Sequence, residues 1–214
     1  MQDKYVLITG SDLTGKTTLI NRLNEEIDYI KVEQNKGPLI NTPFWEVAKK
    51  LMKGNPQPNP YDRVFGVNYN LFVNSLLFGS YLFDIFQYKK GNKGLLHLQD
   101  SYFERTMAVV EGRNVPYLNQ LFKDVRDSLF QFDISILLTA NLEAKKKRLG
   151  ERGGDSMDLE ILTSPFGIEK MDKYLLNLMK DRQKCLVIDT SDKSMDVVVE
   201  LAKSHIEYNL KKGK

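Results

Sequence analysis

The chain is 214 residues long, 42% hydrophobic and 28% charged, the composition of an ordinary soluble globular protein with length for one sizeable core. Its formal net charge of +3 is too small for this length to argue for nucleic acid or a membrane surface as a partner. The single cysteine, Cys185, excludes an internal disulfide, and its apolar run Cys185-Leu186-Val187-Ile188 predicts a buried structural thiol in a reducing, cytoplasmic setting.

No basic-then-apolar leader opens the chain, so no signal peptide is expected. Tyr5-Val6-Leu7-Ile8-Thr9 is a short apolar run that predicts a buried parallel strand. The next residues, Gly10-Ser11-Asp12-Leu13-Thr14-Gly15-Lys16-Thr17, fit the phosphate-loop pattern G-x-x-x-x-G-K-[ST]. Leu19, Ile20, Leu23 and Ile27 then fall at helical spacing, which puts the motif at the strand–loop–helix junction its geometry needs. Tyr29-Ile30-Lys31-Val32-Glu33 predicts a second strand. After a loop through Gly37-Pro38, Thr42-Pro43 reads as an N-cap with proline at the first helical position, and Phe44, Ala48, Leu51 and Met52 form that helix's apolar face. The proline-rich stretch 55–60 is a loop. From Tyr61 to Lys89 a long helical region follows, with a break expected near Gly66; its polar residues Asn74, Ser75, Ser80, Asp84 and Gln87 rule out a membrane span. Residues 95–100 predict a third strand. Leu118, Leu121, Phe122, Val125 and Leu129 form a helical ladder, and residues 134–138 a fourth strand. Helices over 141–149, 165–182 and 195–208 and a last strand over 185–188 complete the pattern. Alternation of this kind indicates one α/β domain over 1–214, with a parallel sheet of about five strands covered on both faces and ligands at the C-terminal strand ends.

The chemistry at those ends is specific. Backbone N–H groups of Gly10, Ser11, Asp12, Leu13, Thr14, Gly15, Lys16, Thr17 and Thr18 suit a triphosphate, with Lys16 on the β/γ-phosphates and the Thr17 hydroxyl on Mg²⁺. A nucleoside triphosphate and Mg²⁺ are therefore the expected ligands. Asp12 either accepts a hydrogen bond from an acceptor hydroxyl, holds Mg²⁺ through water, or caps loop N–H groups. Asp100 closes the third strand where it can bind Mg²⁺ opposite Thr17, and Tyr102 and Arg105 could face a second substrate; a helix cap followed by a solvated charge pair is the other reading. Arg148 and Arg152 share a helical face and suit charge building on phosphoryl oxygens, whereas Lys145, Lys146 and Lys147 read as a solvated face. His97, inside an apolar strand with no Cys/His cluster nearby, reads as a core histidine.

With these residues assembled, the chain resembles the thymidylate kinase family of P-loop nucleotide kinases. Gly10 to Thr18 is similar to the family's G-x-D-x-x-G-K-[ST]-T loop, whose aspartate contacts the acceptor sugar. Asp100-Ser101-Tyr102 looks like its D-R-Y segment. Leu138-Thr139-Ala140 through Arg148 and Arg152 to Asp158-Leu159-Glu160 looks like its strand, arginine lid and trailing glutamate, a lid spanning about 149–160. Asp189-Thr190-Ser191 resembles the loop beside adenine, and residues 76–82 the base-pocket helix, with Phe78 stacking on a base. The resemblance implies a three-layer αβα fold with a helical lid, a homodimer, and an ATP-dependent kinase acting on a nucleoside monophosphate such as thymidylate. Three departures fall on the acceptor side: Ser101 replaces the D-R-Y arginine, Leu82 replaces another, and Gln34-Asn35-Lys36-Gly37-Pro38 replaces R-E-P-G, leaving Lys36 to hold an acceptor phosphate. Phe103-Glu104-Arg105-Thr106 is faintly similar to the E-R-S segment of deoxynucleoside kinases, which take an unphosphorylated acceptor. A nucleoside or other hydroxyl compound is thus the alternative acceptor, and an inactive ATP-binding relative a third reading. A GTPase switch is disfavoured, since neither Asn35-Lys36 nor Asn92-Lys93 is followed by the aspartate of N-K-x-D.

Overall fold

The computed structural model describes residues 2–54, 60–112, 116–152, 165–180, 182 and 184–212; side chains at 52–54, 60–71, 112, 116–119, 152 and 165–167 lie outside the description. In chain order the elements are β1 (Lys4–Thr9), α1 (Lys16–Glu26), β2 (Val32–Lys36), α2 (Pro43–Gly54), α3 (Pro60–Gln87), β3 (Leu96–Asp100), α4 (Phe103–Gly112), α5 (Pro116–Val125), a 3₁₀ turn (Arg126–Ser128), β4 (Ile134–Thr139), α6 (Leu142–Arg152), α7 (Pro165–Lys180), β5 (Cys185–Asp189) and α8 (Met195–Lys212). The strands form one parallel sheet in the order β2-β3-β1-β4-β5.

Side-chain alternation along the strands builds two cores. Tyr5, Leu7 and Leu137 point to the face covered by α2, α3, α4, α5 and α7, where Tyr81, Phe103, Met107, Phe122 and Leu175 are buried. Val6, Ile8, Ile136 and Leu138 point to the opposite face and pack on Leu19 and Leu23 of α1 and Val198, Ala202 and Ile206 of α8. Strands buried on both faces need the continuous apolar runs read above, and each such side chain contributes roughly 1.5–3 kcal/mol. The three-layer αβα architecture with five parallel strands is therefore as expected.

Several local expectations change. The second strand lies three residues later than predicted, because Val32 pairs with Leu96 and the ladder runs on to Lys36 beside Asp100. As an edge strand β2 needs no continuous apolar run, and the exposed Tyr29 misled the reading. Helix α3 continues through Gly66 without the expected break. The ladder from Leu118 to Leu129 is two pieces, since α5 ends at Val125 and a 3₁₀ turn carries Leu129 onto the same buried side. Helix α4 starts where the alternative reading placed a helix cap, but its charge pair is not solvated: Glu104 is 2% exposed, and Phe103, Met107 and Val110, at helical spacing, are fully buried. The Thr42 cap is present: its hydroxyl accepts from Trp45 N at 3.2 Å. His97 is a core histidine, stacked on Tyr5 at 4.4 Å and bonded to Asp3 and Asn35. Cys185 is half-buried, and burial pushes its thiol up to about 11. Among the described residues, no helix is long and apolar enough to cross a membrane.

Candidate active site

β1 delivers the phosphate loop to the middle of the sheet. Gly10 (φ 154°) passes so close to β4 that a Cβ there would lie 2.4 Å from the Leu138 carbonyl oxygen and 2.8 Å from Thr14 Oγ1. Leu13 (φ 63°) and Gly15 (φ 92°) complete the turn in left-handed conformations before α1 begins. Thr14 Oγ1 and Lys16 Nζ both donate to the Ser11 carbonyl, at 2.9 and 2.6 Å. Lys16 is buried, and burial lowers its ammonium to about 8 despite the opposing charge of Asp12. The hydroxyls of Thr9 and Ser11 are buried with no hydrogen-bond partner among the described residues. A buried cation, orphaned hydroxyls and a helix N-terminus meeting in one loop form a donor set that fits a polyphosphate.

β3 brings the second set of groups alongside. Its register places Asp100 next to both Ile8 and Lys36, and Ser101 N donates to the Ile8 carbonyl at 2.9 Å. Lys36 Nζ lies 3.4 Å from Asp100. Ser101 turns left-handed (φ 60°), and Gln99, fully buried, donates to both Gly37 O and Ser101 O at 2.6 and 2.8 Å. That turn starts α4, whose first turn aims Arg105 back at the phosphate loop. One Arg105 nitrogen bonds both carboxylate oxygens of Asp12, at 2.7 and 2.8 Å. Burial alone would raise the Asp12 carboxyl, but Arg105, Lys16 and Lys145 together hold it down at about 2. Asp12 is therefore an ionised carboxylate clamped beside the phosphate loop.

No protein-family model matches the chain, and neither does any curated protein sequence. Solved structures do match. Thymidylate kinase from Candida albicans superposes with a TM-score of 0.66 at 19% identity, covering 97% of this chain and 92% of that one. Deoxyadenosine kinase from M. mycoides with bound dATP gives 0.57 at 14% identity, covering 97% and 100%, and the same enzyme with its products gives 0.60 at 15%, covering 95% and 98%. The fold is that of the P-loop nucleotide kinases.

Within this kinase-type fold, the remaining predicted residues take different places. Arg148 stands on the phosphate-loop side of the sheet, but its guanidinium is engaged: Nη1 donates to Leu13 O at 2.8 Å and Thr190 Oγ1 at 3.1 Å, and Nη2 to Thr190 O. Thr190, 1% exposed, in turn donates to the Thr139 and Thr14 carbonyls, so it joins β5, β4 and the loop. The Arg152 side chain and the proposed lid beyond it, with Asp158, Leu159 and Glu160, lie outside the described residues. Thr17 and Thr18 are exposed on the first turn of α1. Among the described residues no group of three or more His, Cys, Asp or Glu could hold a metal, so a bound Mg²⁺ would rest on Thr17, Asp100, phosphate oxygens and water, a set that suits it.

One residue expected to face the acceptor, Tyr102, is placed otherwise. Tyr102 is 1% exposed in the core, and its hydroxyl donates to Asp84 at 3.0 Å, because Asp84 already ties down the backbone N–H groups of Leu39 and Ile40. Phe78 is half-buried with its ring 5.1 Å from Phe122. Of the three lysines read as solvated, Lys146 and Lys147 are exposed, whereas Lys145 is buried on Asp172. The sequence alone points to neither Gln99 nor the pairing of Lys145 with Asp172; the signal for Gln99 is a polar side chain inside the third apolar strand.

Proposed function

We propose that the chain is an ATP-dependent kinase that transfers the γ-phosphoryl of ATP to a nucleoside-type acceptor. One observation carries the reading: the buried Lys16 of the phosphate loop and the clamped Asp12–Arg105 pair lie side by side at the ends of β1 and β3. The loop and Lys16 would hold the donor's β/γ-phosphates. Asp12, ionised, would accept the hydrogen bond of an acceptor hydroxyl, with Arg105 fixing its direction. Mg²⁺, held by Thr17 and Asp100 when bound, supplies charge neutralisation on the phosphate oxygens. Arg148 would brace the loop through Leu13, and Arg152 is the candidate for the transferring group. Phosphoryl transfer asks the protein mainly for positioning and electrostatics.

The sequence resemblance and the C. albicans thymidylate kinase likeness support a nucleoside monophosphate as acceptor, with Lys36 as its phosphate contact. A specific observation favours the unphosphorylated nucleoside instead. An acceptor phosphate brings between one and two negative charges that need cations of their own. Among the described residues on this side, Arg105 is committed to Asp12 and Lys36 faces Asp100. The likeness to a deoxyadenosine kinase supports the same reading. The test is purified protein with Mg-ATP and parallel panels of nucleosides and monophosphates, read as acceptor-dependent ADP and identified product. Phosphorylated nucleosides are the expected products. Turnover of monophosphates alone would return the acceptor to the first reading, and no acceptor-dependent ADP with either panel would overturn the kinase.

A further inference from the structure

Four charged contacts close a circuit around the phosphate loop. Arg105 of α4 holds Asp12, and the preceding residue, Glu104, takes Arg182 just beyond α7. Asp172 within α7 takes Lys145 of α6. Three residues further along α6, Arg148 donates to the carbonyl of Leu13, next to Asp12, and so returns to the start. Lys145 is the unusual member. Its side chain is 1% exposed, and its carboxylate partner is 27% exposed. Burying a lysine against a carboxylate is a poor source of stability, since apolar residues of the same volume often do as well or better; breaking such a pair from one side, however, strands a charge. What the pair supplies that an apolar contact does not is direction. Residues three apart on a helix lie on neighbouring parts of one face. The rotation of α6 that seats Lys145 on Asp172 is therefore the rotation that puts Arg148 on Leu13 and Thr190. The charge of Lys145 also reaches Asp12, where it acts with Arg105 and Lys16 to keep that carboxyl ionised.

We infer that Lys145 and Asp172 are positioning residues for the nucleotide: they fix the setting of α6 from which Arg148 braces the phosphate loop. The inference rests on the reading above that the donor triphosphate sits on that loop. It is tested by calorimetric binding of a non-hydrolysable ATP analogue with Mg²⁺, alongside thermal melting. Lys145→Met/Asp172→Leu should melt near the wild type, because the buried pair is replaced as a unit. It should bind the analogue about tenfold more weakly, the size of coupling expected between neighbouring contacts. In an Arg148→Ala background the same double substitution should cost no further affinity, since its effect runs through Arg148. Lys145→Arg, which keeps the charge, should retain binding. Wild-type affinity in the double variant, equal losses in both backgrounds, or Lys145→Arg binding as weakly as the double variant would each overturn the inference. If the double variant does not fold, Asp172→Asn compared in the two backgrounds reads the same coupling, and equal losses there overturn it as well. A wild-type protein that fails to bind the analogue would instead overturn the function proposed above, and this inference with it.

Discussion

Lys16→Met should make the ligand-free protein more stable while removing its ability to bind ATP. Lys16 is 9% exposed, and burial carries its ammonium from an ordinary 10.5 down to about 8, with Asp12 resisting. That displacement corresponds to about 3 kcal/mol in favour of the neutral amine inside the fold. The unfolded lysine keeps its proton up to 10.5 and the folded one releases it near 8. Between those values the unfolded chain binds more protons, so stability rises with pH across that window. Below 8 the whole cost stands, offset by the hydrogen bond from Lys16 Nζ to Ser11 O, which a charged donor makes worth about 1.5–3 kcal/mol. Methionine keeps the apolar stem and discards both charge and bond. The net expectation at pH 7 is a gain of roughly 1 kcal/mol, closing or reversing by pH 10. Urea unfolding of both proteins at pH 7, 8.5 and 10 measures the gap, and group titrations common to both cancel. A variant less stable than the wild type at pH 7, or a gap that does not narrow with rising pH, would refute the reasoning.

Gly10→Ala should abolish nucleotide binding, because its Cβ would lie 2.4 Å from the Leu138 carbonyl oxygen and the loop must move to admit it; unchanged binding by calorimetry would count against the loop assignment. Asp12→Asn should slow transfer on the order of 10²-fold or more with little change in ATP affinity, and steady-state kinetics separate the two. In the same variant acid unfolding should change: a carboxyl held at about 2 instead of 3.8 contributes stability that is present above 3.8 and lost as pH falls toward 2, and the asparagine lacks it. Tyr102→Phe removes one of three donors to Asp84 and should cost about 1 kcal/mol of stability with acceptor KM unchanged; a raised KM would return Tyr102 to the site.

The loop proposed to hold the donor was legible as a strand–loop–helix unit because its signals are local. A strand, two glycines, a lysine and a helix start within fifteen residues, and backbone geometry links them without help from elsewhere. The acceptor half depends on contacts that sequence spacing does not expose. Arg105 and Asp12 are 93 residues apart, and only the register of β1 with β3 brings them together. Lys145 shows the limit of reading by type. In a run of four basic residues, Lys146 and Lys147 face solvent, and nothing in the run marks the one that turns inward, because Asp172 lies beyond a long intervening segment. At the start of helix α4 the charged pair Glu104-Arg105 reads as surface until Arg182 and Asp12 are seen to neutralise it.

Residues 99–105 touch three distant parts of the chain: Gln99 and Asp100 reach the neighbours Gly37 and Lys36, Glu104 reaches Arg182 and Arg105 reaches Asp12. Such a cassette cannot be transplanted by itself. Grafting a relative's version would orphan a partner at each address, so under the function proposed above a change of acceptor preference would require exchanging the strand end together with the residues it meets at the end of β2. For the same reason drift at these positions should be slow and correlated, each replacement waiting on a companion far away in the chain.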